Sequence, residues 1–244
     1  RALSSAASDV YKRQGLYHRK IWLKGVKIMR TNYDRQLKKL NDEMVEMGSM
    51  IEGVIEKAIK ALVNQDVDLA QEVIHRDDQI DQQEKDIESL CFKLLLMEQP
   101  VATDLRQVSS ALKMVTDMER IGDHAADISE LTIQMAGKPY VKELEHIKAM
   151  AKESMVMLVD SIEAYVNLDL TKARKVIAQD DVVDDLFIKV KSELINLIHR
   201  NADAGEQETD LLMVAKYLER IGDHATNISE WVIYYITGEH ISGN

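Results

Sequence analysis

The 244-residue chain has one cysteine, two prolines, two phenylalanines, ten glycines and an aromatic content of only 5%. Each scarcity removes a class of protein. A lone cysteine, Cys91, cannot close an intrachain disulfide. Its place in the apolar run ESLCFKLLLM makes it a buried thiol of a reducing compartment, simplest read as the cytoplasm, and not a nucleophile. With aromatic residues and turn-formers this rare, a β-sandwich or barrel is excluded, whereas the abundant Ala, Leu, Met, Glu, Lys and Gln favour helix. The chain also lacks a P-loop, a Gly-x-Ser-x-Gly elbow and a His-Glu-x-x-His pair, so the sequence is read as a non-enzyme. Positive charge is short too. With 31 basic against 42 acidic residues the net charge is −11, which disfavours nucleic acid and anionic lipid as direct partners and favours cations or basic protein surfaces.

Residues 1–28 break this pattern. They are Ser/Ala-rich, then basic, and hold seven of the 31 Lys/Arg but one of the 42 Asp/Glu. Their apolar residues are too few and too broken for a signal-peptide core or a membrane span. They are read as a non-native or disordered leader with Met29 as the true start. The remainder is helically periodic with few interruptions. Leu37, Leu40, Met44, Met47, Ile51, Val54, Ile55, Ala58 and Leu62 recur at three- and four-residue spacing, predicting a helix over 33–63. Further helices are predicted over 68–97 and 102–136, the last stopped by Gly137-Lys138-Pro139. A second trio over 140–166, 169–200 and 207–236 matches the first in length. The expected architecture is all-α, six long helices in two tandem pseudo-symmetric three-helix bundles, the first spanning 29–137 and the second 138–244.

The duplication is carried by chemistry as well as length. ERIGDHA occurs at 119–125 and again at 219–225, each followed by Ile-Ser-Glu at 128–130 and 228–230. On a helix, Glu119, Asp123 and Asp127 advance by about 40° per step and form one carboxylate stripe roughly 12 Å long. The second copy places Glu219, Asp223 and Asn227 at the same positions, with one charge fewer. One helix upstream, VIHRDDQID and VIAQDDVVD supply a second acidic pair to each half, Asp77 with Asp81 and Asp180 with Asp184. Second and third helices of a bundle are antiparallel neighbours, so each half can face two carboxylate rows onto a shared cation. An isolated acidic pair is ordinarily a solvated face, but four matched pairs in repeat-related positions point to metal. All-oxygen ligation favours Mg²⁺, Mn²⁺, Ca²⁺ or iron over a thiolate-type zinc site, although zinc can still enter.

Other motif residues receive plainer readings. His124 and His224 lie about 140° around the helix from their glutamates and belong to the rim of the stripe. Gly122 and Gly222 sit mid-helix without a glycine partner and permit close helix approach rather than forming phosphate loops. Arg120 and Arg220 stand at the edge of each stripe and are expected to pair with neighbouring acids. A ferritin-like metal storage or redox protein is the alternative function, but the Glu-x-x-His spacing of di-iron bundles is missing, since Ile121 and Ile221 stand three before each histidine.

The two ERIGDHA-x-x-ISE copies, the upstream RDDQID and QDDVVD acids and the segment QPVATDLRQV at 99–108 together resemble the PhoU family over Met29 to Asn244. The resemblance implies two spectrin-repeat-like three-helix bundles that hold mono- or multinuclear clusters of iron, manganese, magnesium or zinc. It implies a first site of Glu119, Asp123, Asp127, Asp77 and Asp81, and a second of Glu219, Asp223, Asn227, Asp180 and Asp184. Asn227 departs from the acidic pattern. It further implies a cytoplasmic negative regulator of phosphate uptake and phosphate-starvation signalling, often dimeric, peripheral to the inner face of the membrane. Its partners would be the ATPase subunit of a phosphate ABC transporter and a membrane sensor histidine kinase. Asp104, Leu105 and Arg106 match a family segment, with Arg106 structural or partner-facing.

Overall fold

The computed structural model describes residues 2–97, 101–200 and 205–240, with side chains from Arg30 onward. Among the described residues it consists of six helices, α1 (Ala2–Asn64), α2 (Val67–Leu96), α3 (Ala102–Met135), α4 (Glu145–Asn167), α5 (Leu170–Arg200) and α6 (Gly205–Thr237). The first helix is longer than its periodic core of 33–63 because its backbone continues back to Ala2. The leader expected at 1–28 falls where side chains lie outside the described residues. So do the interhelical breaks at 98–100 and 201–204.

α1 to α3 pack on one another as the first bundle and α4 to α6 as the second, while α3 lies along α6 and α1 touches α4. The outer helices α2 and α5 therefore never meet across the molecule's centre. One hydrophobic core runs through both halves, including Leu40, Met44, Met47 and Ile51 of α1, Met114 and Met118 of α3, Leu158 of α4 and Leu218 of α6. Ser154 donates from α4 to the carbonyl of Leu218 on α6 at 3.0 Å, and Arg106 donates from the start of α3 to the carbonyl of Tyr235 near the end of α6 at 3.3 Å. The latter satisfies one of the orphan carbonyls of a helix terminus with a cation, favourable against the macrodipole. Asp104, in the first turn of α3, accepts from the Val101 backbone N–H at 3.0 Å and pairs with Arg30 at 2.5 Å, which holds its carboxyl below the usual range despite burial.

The same turn is built twice. At the end of α1, Gln65 takes a left-handed φ of 52°, its N–H reaches Leu62 O, and the Asp66 N–H reaches back to Ala61 O at 2.9 Å. At the end of α4, Leu168 takes φ 54° and Asp169 N–H reaches Ala164 O at 2.9 Å. Each is a Schellman closure, and each aspartate then caps the next helix, Asp66 accepting from Leu69 N–H and Asp169 from Lys172 N–H. The link between bundles differs from expectation: α4 starts at Glu145 rather than 140. Pro139 lacks a donor, and the next residues are tied elsewhere, Tyr140 Oη to Leu62 O at 2.5 Å and Val141 N–H to Gln207 Oε1 at 2.8 Å.

Candidate metal centre

Glycine sets the spacing between the outer and central helices. A Cβ on Gly122 would stand 3.0 Å from Ile80 Cδ1 and 3.7 Å from Asp77 Oδ1, and one on Gly222 would stand 3.2 Å from Asp180 Oδ1. The absent side chains let α2 approach α3, and α5 approach α6, closely enough that carboxylates on facing helices converge.

In the first bundle, candidate ligand oxygens of Asp77, Asp81 and Asp123 lie within 4.8 Å of one another, and all three residues are half-buried. Like charges this close, partly withdrawn from water, are costly without a counter-ion. Burial first, and then the neighbouring charges of Asp123 and Asp81, push the Asp77 carboxyl up to about 6. Glu119, one turn before Asp123, is pushed up to about 7 by burial and Asp123, with Arg120 opposing. Its Oε2 is buried without a hydrogen-bond donor, the Arg120 Nε standing off at 3.5 Å. Arg120 instead donates to Asp123 at 2.8 Å from a largely exposed position. An acceptor-only oxygen left unpartnered beside three convergent carboxylates fits a hard cation, so Asp77, Asp81, Asp123 and Glu119 are the residues able to hold one.

The second cluster is looser. Burial and the charges of Asp223 and Asp184 push Asp180 up to about 6, which places these side chains in one field. Asp184 and Asp223 are nevertheless exposed, and Glu219 is gripped through both oxygens by Lys216, at 2.5 Å for Oε1. Among the described residues, a trio with ligand-atom convergence occurs in the first bundle alone.

The last stripe positions turn toward the seam between the bundles. Asp127 Oδ2 lies 3.2 Å from His124 Nδ1, and Asn227 donates to Asp117 of α3 at 3.2 Å. Asp117 also takes His224 Nδ1 at 2.8 Å. The rings of His124 and His224 stand 5.6 Å apart, with Tyr217 stacked on His124 at 5.4 Å. Burial lowers the His124 imidazole pKa below its usual value. A cavity of about 480 Å³ opens beside the first cluster, and Arg220 and His224 of the second repeat reach its wall alongside Asp77, Asp123 and Asp127.

Sequence reasoning missed Asp117 and Lys216. Asp117 has no acidic counterpart in the other repeat, where Tyr217 stands, so the repeat pattern hides it. Lys216 was within reach of inspection, three residues before Glu219 on the same helix face. Among the remaining residues, Cys91 is buried and its thiol pushed up to about 12, as suits a structural position.

The PhoU domain family model matches the chain twice, over residues 44–132 and 147–232, once on each bundle and each time across one ERIGDHA motif. The chain belongs to the PhoU family. A phosphate-specific transport system accessory protein PhoU homolog of Clostridium acetobutylicum is 40% identical over 213 residues, covering 87% of this chain and 97% of its own. The homolog of Aquifex aeolicus is 37% identical over 205 residues, covering 84% and 93%. The crystal structure of PhoU from Pseudomonas aeruginosa superposes with a TM-score of 0.82 at 31% identity, covering 85% of this chain and all of that one. Among the described residues, no helix is long and apolar enough to cross a membrane.

Proposed function

We propose that this chain is a metal-binding accessory regulator of phosphate transport. In this reading it is a cytoplasmic, non-enzymatic adaptor, homodimeric and peripheral to the inner face of the membrane. It restrains phosphate uptake and phosphate-starvation signalling by linking the ATPase subunit of a phosphate ABC transporter to a membrane sensor histidine kinase. The accessory role in phosphate transport is supported by the names its relatives carry over nearly their whole length. The observation that carries the metal half is the convergence of Asp77, Asp81 and Asp123 beside the unpartnered Glu119 oxygen.

The chain's own residues do the rest. Asp77 and Asp81 on α2 and Glu119 and Asp123 on α3 present carboxylates across the helix pair, so that a bound iron, manganese, magnesium or zinc ion supplies the positive charge that joins them. Arg120 partly neutralises Asp123 in the absence of an ion and can swing into solvent. Gly122 keeps the helices close enough for the carboxylates to meet, and the acidic outer faces remain available to basic surfaces of protein partners. Deleting the gene is expected to raise a phosphate-starvation reporter in phosphate-rich medium, and an Asp77→Ala/Asp123→Ala chain is expected to complement poorly. Unchanged reporter output in the deletion contradicts the regulatory reading.

A further inference from the structure

We propose that Lys216 is a built-in cation of the second carboxylate cluster, so that the two repeats bind metal unequally: the first holds an ion tightly, and the second takes one only when Lys216 is displaced. The proposal rests on the metal-centre reading above and concerns how that centre is divided between the repeats.

The two clusters differ at four related positions, and at one of them, Gln82 in the first against Asp185 in the second, the second gains a carboxylate. Where the first repeat has Thr116, the second has Lys216, whose ammonium bonds both oxygens of Glu219 and lies 5.5 Å from the centroid of the Phe187 ring. Where the first has Glu84, the second has that Phe187. Glu84 adds negative charge to the field at Glu119, whereas Phe187 adds none and offers a ring face that favours the ammonium. Where the first has Asp127, the second has Asn227, which is spent on Asp117. The arginines differ in place though not in sequence: Arg120 donates to Asp123 at 2.8 Å from a largely exposed position, whereas Arg220 reaches the wall of the cavity beside the first cluster. The first cluster's cation is thus held through one short bond and the second's through both oxygens of Glu219.

Three of the four changes act in one direction, and Asp185 alone acts against it. Relative to the first, the second cluster lacks Glu84 and Asp127, gains Asp185, and gains an ammonium already seated on its glutamate. An incoming ion must displace that ammonium from both Glu219 oxygens, against a field that Asp184 and Asp223 supply from exposed, better-screened positions. In the first cluster Glu119 Oε2 has no hydrogen bond, the Arg120 Nε standing off at 3.5 Å. Metal therefore loads stepwise, and the second cluster is the one whose occupancy follows the free metal concentration.

The test is a manganese(II) titration of the full chain by calorimetry, with bound metal counted by native mass spectrometry, on wild type, Lys216→Thr, Lys216→Met and Thr116→Lys. Lys216 is partly and Thr116 fully at the surface, so the fold is expected to survive each change, and helicity by circular dichroism verifies it. Wild type should show two binding classes. Both Lys216 variants should tighten the weak class by about tenfold or more, and Thr116→Lys should loosen the tight class by about as much, the scale on which neighbours tune a metal site. Two equal classes in wild type, unmoved by either Lys216 variant, overturn the inequality while leaving the metal centre standing. Tightening in Lys216→Thr but not in Lys216→Met makes the threonine oxygen the cause and also overturns it. No binding in any variant overturns the inequality and the metal-centre reading together.

Discussion

The two repeats are copies in backbone and unlike in chemistry. Both end their first helix in the same left-handed closure followed by an aspartate cap, and both bring their second and third helices together over a motif glycine. Yet the first collects Asp77, Asp81 and Asp123 within ligand distance and leaves a Glu119 oxygen bare, while the second spreads its acids and seats Lys216 on Glu219. The fold thus preserves a frame in which each half can be tuned separately. Packing against a shared core constrains the apolar positions of both copies, whereas the carboxylate rows lie at the partly solvated edge, where a single residue can change the charge without disturbing the core.

The largest expected contrast between the halves is in metal content. Asp77→Ala/Asp123→Ala should remove the tight binding class altogether, and Asp180→Ala/Asp184→Ala only the weak one, as read by metal analysis after exhaustive dialysis. If both double variants lose the same amount of metal, the halves are equivalent. A smaller contrast concerns the glycines. Alanine at Gly122 must push against the branched side chain of Ile80 at 3.0 and 3.1 Å and should cost about 1–3 kcal/mol in urea unfolding. At Gly222 the new methyl meets Asp180 Oδ1 at 3.2 Å, which can yield, and Val183 Cγ1 and Met157 Cε only at 3.5 and 3.7 Å, ordinary contact distances, so the loss of stability should be less. Equal losses would show that the two helix pairs are equally tight.

Protons offer a third handle. Glu119 is raised from 4.5 to about 7, and Asp77 and Asp180 from 3.8 to about 6. Groups raised in the native state bind protons more tightly folded than unfolded. Metal-free protein should therefore lose stability as pH rises from about 4 to about 7, with Glu119 dominating the upper part of that window. Thermal melts of chelator-treated protein measure this, and Glu119→Gln should flatten the upper part. A melting temperature that climbs through the same window contradicts the assignment. Metal binding requires deprotonated carboxylates, so loaded protein should show the opposite trend. The smallest effect is expected at the seam. Arg106→Ala removes a bond to the Tyr235 carbonyl and should cost about 1 kcal/mol, with faster hydrogen exchange confined to the end of α6.

Much of the fold was legible in the sequence because periodicity and repetition record it directly. Leu40, Met44, Met47 and Ile51 announce the buried face of α1, and Asn167-Leu168-Asp169 announces the end of α4. The start of α4 was not legible, because Val141 and Tyr140 are held by Gln207 and by the Leu62 carbonyl, partners distant in sequence. In the candidate site, i,i+4 spacing placed Asp77 with Asp81 and Glu119 with Asp123 on single helix faces. Spacing along one helix could not foretell that Asn227 would bond across the seam. The Asp127 partner, His124, is an i,i+3 neighbour on the same helix, but the Asn227 partner, Asp117, is chosen by how α3 lies against α6. Lys216 was legible from its i,i+3 spacing to Glu219 but is passed over when repeats are aligned for what they share, since its effect lies in what they do not.

The central claim is that the first repeat's carboxylates are metal ligands. Inductively coupled plasma mass spectrometry on the purified chain beside Glu119→Ala/Asp123→Ala tests it most directly. The account predicts about one or more metal equivalents per wild-type chain and a marked loss in the variant while both remain helical. Equal metal in the two proteins, or none in either after reconstitution, would contradict it and leave the acids as a docking surface alone.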